Sequence, residues 1–370
     1  MKNNNAIPRR LAIFMPDLRV GGAERVAVNI ANEFSSRGYK VDVVLLSASG
    51  KFLEDLISDV QVVDLKSSRF LKAIFPLCRY LKEAKPDAML AFMWPLTSIV
   101  IWAKILTFSI CRVVVVEQTT WSTGEIFKSF VHRWIAKITM RITFPFADNV
   151  VTASKGSADD LANFAMICRN NITVIFNPII GVKEELSDDS HHPIDWWMGA
   201  HYRILAVGAL KVVKDYPTLI NAFSIIKKNC NARLLIIGEG SCRLSLESQI
   251  KQLGLFDSVF MPGFVRDQIP YYHRADLHVL SSIGEGLPTV LVEALAAGTP
   301  VVSTDCLSGP SEILCDGKFG KLVPVGDSVA LASAIESSLN TKHDYEFLKA
   351  RAQDFTIQNA VDKYEVLLFE

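Results

Sequence analysis

The chain has 370 residues, half of them hydrophobic and 21% charged, with 39 basic and 39 acidic side chains. That length and composition exclude a disordered or collagen-like chain and are too large for one ordinary core, so two globular domains are expected. The zero net charge hides an asymmetry, because residues 1–185 carry 23 Lys+Arg against 17 Asp+Glu and residues 66–141 alone carry 12 against 4.

From the N-terminus, MKNNNAIPRR offers no apolar stretch of signal-peptide length before the first strand. Runs at 11–15, 41–46, 61–65, 88–93, 112–117, 149–153 and 172–176 are short, β-branched and continuously apolar. That is the pattern of parallel strands covered on both faces. Between the first two runs, Ala23, Val26, Ala27, Ile30, Ala31 and Phe34 mark an amphipathic helix that stops at Gly38. Residues 88–103 are uncharged, but Pro95 interrupts them and they fall short of the roughly 20 residues a membrane span needs. A buried strand followed by a core helix is the expectation there. On a helix over 125–142, Phe127, Phe130, Val131, Trp134, Ile135 and Ile138 share one face, with Lys128, His132, Arg133, Lys137 and Arg141 on the rest. Such a helix either docks on an anionic membrane or packs its stripe on the sheet.

The pattern breaks over 178–202, a polar linker containing His191 and His192, and then restarts. Runs at 203–208, 233–238, 259–263, 277–280, 300–304 and 321–325 give a second set of strands with helices between. The expected fold is α/β, two doubly wound, Rossmann-like parallel-sheet domains facing across a cleft, with ligands at the strands' carboxyl ends. The boundaries expected are 1–185, 186–355, and a last helix at 356–370 returning to the first domain.

The chemistry is carried by three glycine-rich turns and one helix. In PDLRVGGAERVA (16–27), Gly21 and Gly22 follow the first strand and open a helix whose N-terminus favours an anion. The spacing is not G-x-G-x-x-G, which weighs against a nicotinamide cofactor. In AVGALKVVK (206–214), Lys214 and Lys211 stand just after a strand end, where they serve either a phosphate or solvent. IGEGS (237–241) places Gly238 and Glu239 at the next strand end. GEGLPTVLVEALAAGTP (284–300) puts Glu285 in a glycine loop and Glu293 within an otherwise apolar helix running from Pro288 to Gly298. A lone buried carboxylate costs several kcal/mol, roughly, unless it is hydrogen-bonded. Gly286, Leu287 and Thr289 offer N–H groups to a diphosphate at the helix N-terminus, and Glu293, four residues after Thr289, suits a vicinal diol such as a ribose. The competing reading of Glu293 is a salt bridge. No D-x-D pair, G-x-S-x-G elbow or Walker loop occurs, and His273 and His278 read as structural. The seven cysteines are odd in number and form no C-x-x-C pair, which favours a reducing compartment.

These motifs together resemble the GT4-type retaining glycosyltransferases, GT-B enzymes that include bacterial cell-surface glycan enzymes. EGLPTVLVE looks like their E-x7-E segment, GGAER their first-domain loop, VTASKGSADDL (151–161) a late turn of that domain, and FMPGFV (260–265) their base-proximal loop. GTPVVSTDCLSGPSEIL (298–314) is similar to the family's segment after the E-x7-E helix, and FTIQNAVDKYEVLL (355–368) to its last helix. The likeness thus covers nearly the whole chain. The resemblance implies that Glu293 binds the nucleotide ribose and that Glu285, Gly286, Leu287, Pro288 and Thr289 lie by the sugar and diphosphate. It also implies that Lys214 binds the diphosphate and that Phe264 and Val265 lie near the base. The implied reaction moves a hexose or N-acetylhexosamine, with retention, from a nucleoside-diphosphate sugar such as a UDP-sugar to a glycan on a polyprenyl diphosphate. No cofactor, no metal and no nucleic acid are expected, and the place is the cytoplasm, peripheral on the inner face of the membrane. Two departures stand out: Ala209 where the family often has Arg, and Gln118 where a first-domain strand often ends in His. Gln118 is no general base. A sugar-nucleotide epimerase or phosphorylase would fit the same architecture, and a nucleic-acid binder would use the basic half but leave Glu285 and Glu293 unexplained.

Overall fold

The computed structural model describes residues 8–19, 21–122, 129–179, 196–197, 200–228 and 230–370. The predicted linker histidines and the first residues of the 125–142 segment, Phe127 and Lys128 among them, lie outside these. The chain forms two compact units, residues 1–179 with 355–370, and residues 180–354.

In the first unit seven strands make one parallel sheet in the order β3-β2-β1-β4-β5-β6-β7. They are β1 (Arg10–Met15), β2 (Lys40–Leu45), β3 (Gln61–Asp64), β4 (Ala88–Phe92), β5 (Arg112–Glu117), β6 (Asn149–Thr152) and β7 (Ile172–Val174). β1 pairs with β2 on one side and β4 on the other, so the strand order reverses beside β1. Leu11 to Met15 and all of β4 are buried, as expected of strands covered on both faces. One face carries α2 (Ile74–Ala84), α3 (Leu96–Thr107), α4 (Phe130–Thr143) and α5 (Lys155–Ala165) over one core. The other carries α1 (Gly22–Ser36) and the final helix, Ile357–Phe369. Arg37 on the loop after α1 bonds Asp362 and Glu365 of that final helix, and Tyr39 stacks on Phe369 at 4.9 Å.

The uncharged 88–103 stretch is therefore β4 followed by α3, and no helix among the described residues is long and apolar enough to cross a membrane. The alternative in which the apolar stripe of the 125–142 helix packs on the sheet is corrected. α4 turns Ala136, Met140 and Thr143 inward, one small face at helical spacing, and leaves Phe130, Val131, Trp134, Ile135 and Ile138 exposed.

The second unit repeats the plan with six parallel strands, order β10-β9-β8-β11-β12-β13. These are β8 (Tyr202–Val207), β9 (Ala232–Ile237), β10 (Val259–Gly263), β11 (Leu277–Leu280), β12 (Val301–Thr304) and β13 (Lys321–Val323). α6 (Tyr216–Ile226), α7 (Arg243–Gln252) and, further along the chain, a helix over Ser328–Leu339 share one core on one face. α8 (Ile269–Arg274), α9 (Thr289–Ala296), α10 (Pro310–Leu314) and the Tyr345–Ala352 helix pack among themselves, α9 touching each of the other three. Each predicted strand forms, with ends moved by one or two residues. Pro288 stands at the N-cap of α9 rather than in its first turn.

Candidate functional site

The loops after β8, β9, β11 and β12 emerge at one edge of the second sheet, the carboxyl edge where such folds hold ligands. Two of them meet through glycine. A Cβ on Gly238 would lie 2.0 Å from the Gly208 carbonyl oxygen, and both residues have positive φ. Gly238 is thus required for loop-on-loop packing. Its neighbour Glu239 is exposed, and Arg243 donates to both its carboxylate oxygens at 2.6 and 2.9 Å. That guanidinium holds the Glu239 carboxyl below the usual range.

The turn after β8 is tied to the loop after β11 through the backbone. Ile283 N–H donates to the Val213 carbonyl at 2.9 Å, and the Ser281 hydroxyl donates to the Lys214 carbonyl at 2.8 Å. This brings Lys214 Nζ to 2.5 Å from Glu285 Oε1, which also accepts from the Ser282 hydroxyl at 2.6 Å. Both charged side chains are largely buried, 19% and 11% exposed. Behind them the Ser308 hydroxyl donates to the Glu285 carbonyl at 2.5 Å. The 308–309 turn presses so closely that a Cβ on Gly309 would lie 2.4 Å from Pro288. Glu285 is held at its carboxylate and at its backbone. Lys211, by contrast, is exposed and pairs with no described carboxylate.

α9 begins just beyond, with no side-chain cap on its N-terminus. Its first-turn N–H groups, at Thr289 and the next residues, are the ones a helix leaves without intrahelical acceptors. Leu287 and Pro288 are buried, whereas Gly286 and Thr289 are half-buried. One turn on, Glu293 is half-buried and accepts a hydrogen bond at Oε2 from the Tyr272 hydroxyl at 3.0 Å. A phenol is thus one polar neighbour of the Glu293 carboxylate. Tyr272 is fully buried, and burial together with the Glu293 charge pushes its hydroxyl well up, so it stays a donor. Tyr272 packs against His278, which is also fully buried and which burial, then the Lys214 charge, pushes down to about 3. His278 is a neutral core residue. On the loop after β10, Phe264 is part-exposed and Val265 buried.

Gly21, Gly22 and Gln118 lie on the first unit, also at its sheet's carboxyl edge. Gly21 caps α1 without a side-chain bond, in extended conformation. Gln118 follows β5; its Nε2 is buried without a hydrogen-bond partner. Its neighbour Glu117 is the group that spacing missed. Glu117 lies inside the core, accepts from the Thr97 hydroxyl at 2.7 Å, and burial pushes it up to about 8. Ser282, Ser308 and Tyr272 were missed as well. Only the three-residue step from Ser282 to Glu285 was available as a signal.

Comparison with known proteins matches both halves. Residues 199–355 fit the family model described as glycosyl transferases group 1, and residues 20–180 fit that of glycosyltransferase family 4. A Campylobacter jejuni relative is 27% identical over 97% of both chains. It is named N-acetylgalactosamine-N,N'-diacetylbacillosaminyl-diphospho-undecaprenol 4-alpha-N-acetylgalactosaminyltransferase. The amylovoran biosynthesis glycosyltransferase AmsD of Erwinia amylovora is 26% identical over 81% of each chain. Among solved structures, Anabaena Alr3699/HepE in complex with UDP and glucose superposes with a TM-score of 0.81, at 22% identity, over 97% of this chain and 99% of that one. Two parallel-sheet units of GT-B type, each half matched by its own family model, leave one assignment: the chain belongs to the GT4-type, group 1 glycosyltransferases.

Proposed function

We propose that the protein transfers a hexose or N-acetylhexosamine, with retention, from a nucleoside-diphosphate sugar, UDP-linked first among them, to a glycan carried on a polyprenyl diphosphate. The observation that carries this reading is the Lys214–Glu285–Ser282 cluster beside the uncapped N-terminus of α9. In this reading Glu293, steadied by Tyr272, accepts from the ribose. Lys214 and the first N–H groups of α9 neutralise the diphosphate as it departs. Glu285 faces the transferred sugar, and Lys211, Phe264 and Val265 lie around the nucleotide. Gly21 and Gly22 are assigned to donor binding and Gln118, with Glu285, to catalysis without acting as a base; no protein nucleophile is assigned. Residues 1–185 would take the acceptor and 186–355 the donor.

The relatives' names, an undecaprenol-linked transferase and an amylovoran enzyme, support the acceptor class, and the UDP and glucose complex of the Anabaena protein supports the donor class. Metal independence is supported by the cation and helix terminus at the proposed diphosphate position. Exposure of the α4 stripe supports peripheral membrane contact. The test is a panel of nucleotide sugars incubated with the protein, with and without EDTA. Slow hydrolysis of one donor, unaffected by EDTA, is the expected result. No turnover of any donor, or turnover restored only by Mg²⁺ or Mn²⁺, overturns the reading in whole or in its metal-free part.

A further inference from the structure

α2, α3 and α4 lie side by side on one face of the first sheet, α3 in the middle, and their inward residues fill one core. Helices of such a layer ordinarily present polar side chains outward. These present large apolar ones among them. In the turn after α3, Phe108 is 92% exposed and Ile110 wholly so, beside Leu106 at the end of the helix. Phe130 stands exposed on α4, and Leu71 and Phe75, each about four-fifths exposed, stand at the start of α2. Exposed apolar side chains repeated across three adjacent helices mark an interaction surface.

The charge on this surface selects the occupant. Arg69, Lys72, Lys82 and Arg141 are exposed around it. Among the described residues the acidic groups here are paired or buried: Glu83 pairs with Arg79 at 2.7 Å, Asp148 with Lys104 at 2.6 Å, Asp87 accepts from the Arg10 backbone, and Glu117 is inside the core. Trp102 and Trp134, each partly exposed on α3 and α4, are side chains suited to a boundary with one wet and one apolar side. We propose that the α2–α3–α4 face docks on an anionic lipid bilayer, with Leu106, Phe108 and Ile110 as the part that enters it. This rests on the lipid-linked acceptor reading and names the surface that brings the first unit to that acceptor. Binding is then peripheral, apolar insertion and basic attraction acting together.

Flotation of the full chain with vesicles of phosphatidylethanolamine and phosphatidylglycerol, against phosphatidylcholine vesicles, makes the test. Wild type binds the anionic vesicles, and binding weakens as salt rises. Phe108→Ser with Ile110→Ser lowers the affinity at least about tenfold, the equivalent of about 1.4 kcal/mol. Both residues are too exposed for their loss to alter the melting temperature. In wild type, lipids brominated in their acyl chains quench tryptophan fluorescence, and Trp102→Phe with Trp134→Phe removes that quenching. Absence of vesicle binding, equal binding to phosphatidylcholine, or an unchanged double-serine variant overturns the proposal. So does a concentration-dependent dimer that the serine variant converts to monomer. Donor hydrolysis measured without lipid separates the two readings: its absence sinks the transferase assignment, whereas lost vesicle binding with intact hydrolysis sinks only the docking surface.

Discussion

The carboxyl edges of the two sheets are built differently. In the second unit both glutamates are anchored: Glu285 by Lys214 and Ser282 at its carboxylate and Ser308 at its backbone, and Glu293 by the phenol of Tyr272. In the first unit the corresponding edge holds Gln118, with its amide nitrogen unsatisfied, beside Glu117, which burial keeps protonated near neutral pH. Hydrogen bonds made before a ligand arrives reduce the ordering that binding requires. The second unit is thus prepared for a charged ligand of fixed shape, while Gln118 and the protonated Glu117 supply the first with neither a base nor an ion at neutral pH. Under the proposed assignment, chemistry rests on stabilising the leaving diphosphate, not on proton abstraction by the first unit.

The largest expected effect comes from removing the cation. Lys214→Ala should lower transfer at saturating donor by roughly a hundred- to a thousandfold if the ammonium stabilises the departing diphosphate. Steady-state kinetics check this, and turnover within a fewfold of wild type would leave Lys214 a mere partner of Glu285. A second test addresses the other edge. Unfolded, Glu117 ionises near its ordinary 4.5, whereas in the fold burial keeps its proton up to about 8. Between those values the unfolded chain binds fewer protons, so the stability Glu117 contributes is full below 4.5 and lost as pH rises through about 8. Glu117→Gln keeps the shape and an acceptor for Thr97, and should spare roughly 2–4 kcal/mol of the loss that wild type suffers between about pH 5 and about pH 8. Denaturant melts at the two pH values measure it; parallel pH profiles would mean that Glu117 is ionised in the fold.

The smallest effects sharpen the donor side. Glu293→Gln should weaken UDP binding by roughly 1.5–3 kcal/mol, and Tyr272→Phe, which removes only the steadying hydroxyl, by roughly 0.5–1.5 kcal/mol. Glu285→Gln should lower turnover without weakening UDP binding, and tighten it to the extent that the carboxylate competes for Lys214. Calorimetry on variants with wild-type melting curves tests the set. Equal UDP affinity in wild type and Glu293→Gln would end the ribose assignment.

The fold was legible because buried parallel strands leave continuous apolar runs, such as 112–117, that little else in the sequence imitates. The N-terminal limit of α4 was less so, since the hydrophobic period continues upstream of the Ser129 cap. The same period left the direction of the stripe open. Phe130 and Trp134 look like a core stripe, but in α4 the small residues Ala136 and Thr143 face inward, and periodicity does not tell which of two faces is covered. Among site residues, glycine-rich strand ends pointed to Lys214 and Glu285, and the cost of a lone carboxylate in an apolar helix pointed to Glu293. Tyr272, Ser282 and Ser308 act through ordinary hydroxyls brought together from separate loops, and no local pattern marks them.

The ion pair of Lys214 with Glu285 bears on product release. With each charge answered by the other at 2.5 Å, the pair presents little net field to a stray phosphate. Under the proposed assignment, an arriving diphosphate must draw Lys214 away, and Glu285, which keeps the Ser282 hydroxyl, is then open to a further donor. An intact nucleotide sugar brings one in its sugar hydroxyls, whereas the spent nucleoside diphosphate does not. The pair would then re-form as the sugar leaves, competing with the product for Lys214 and hastening its exit without any lid or hinge.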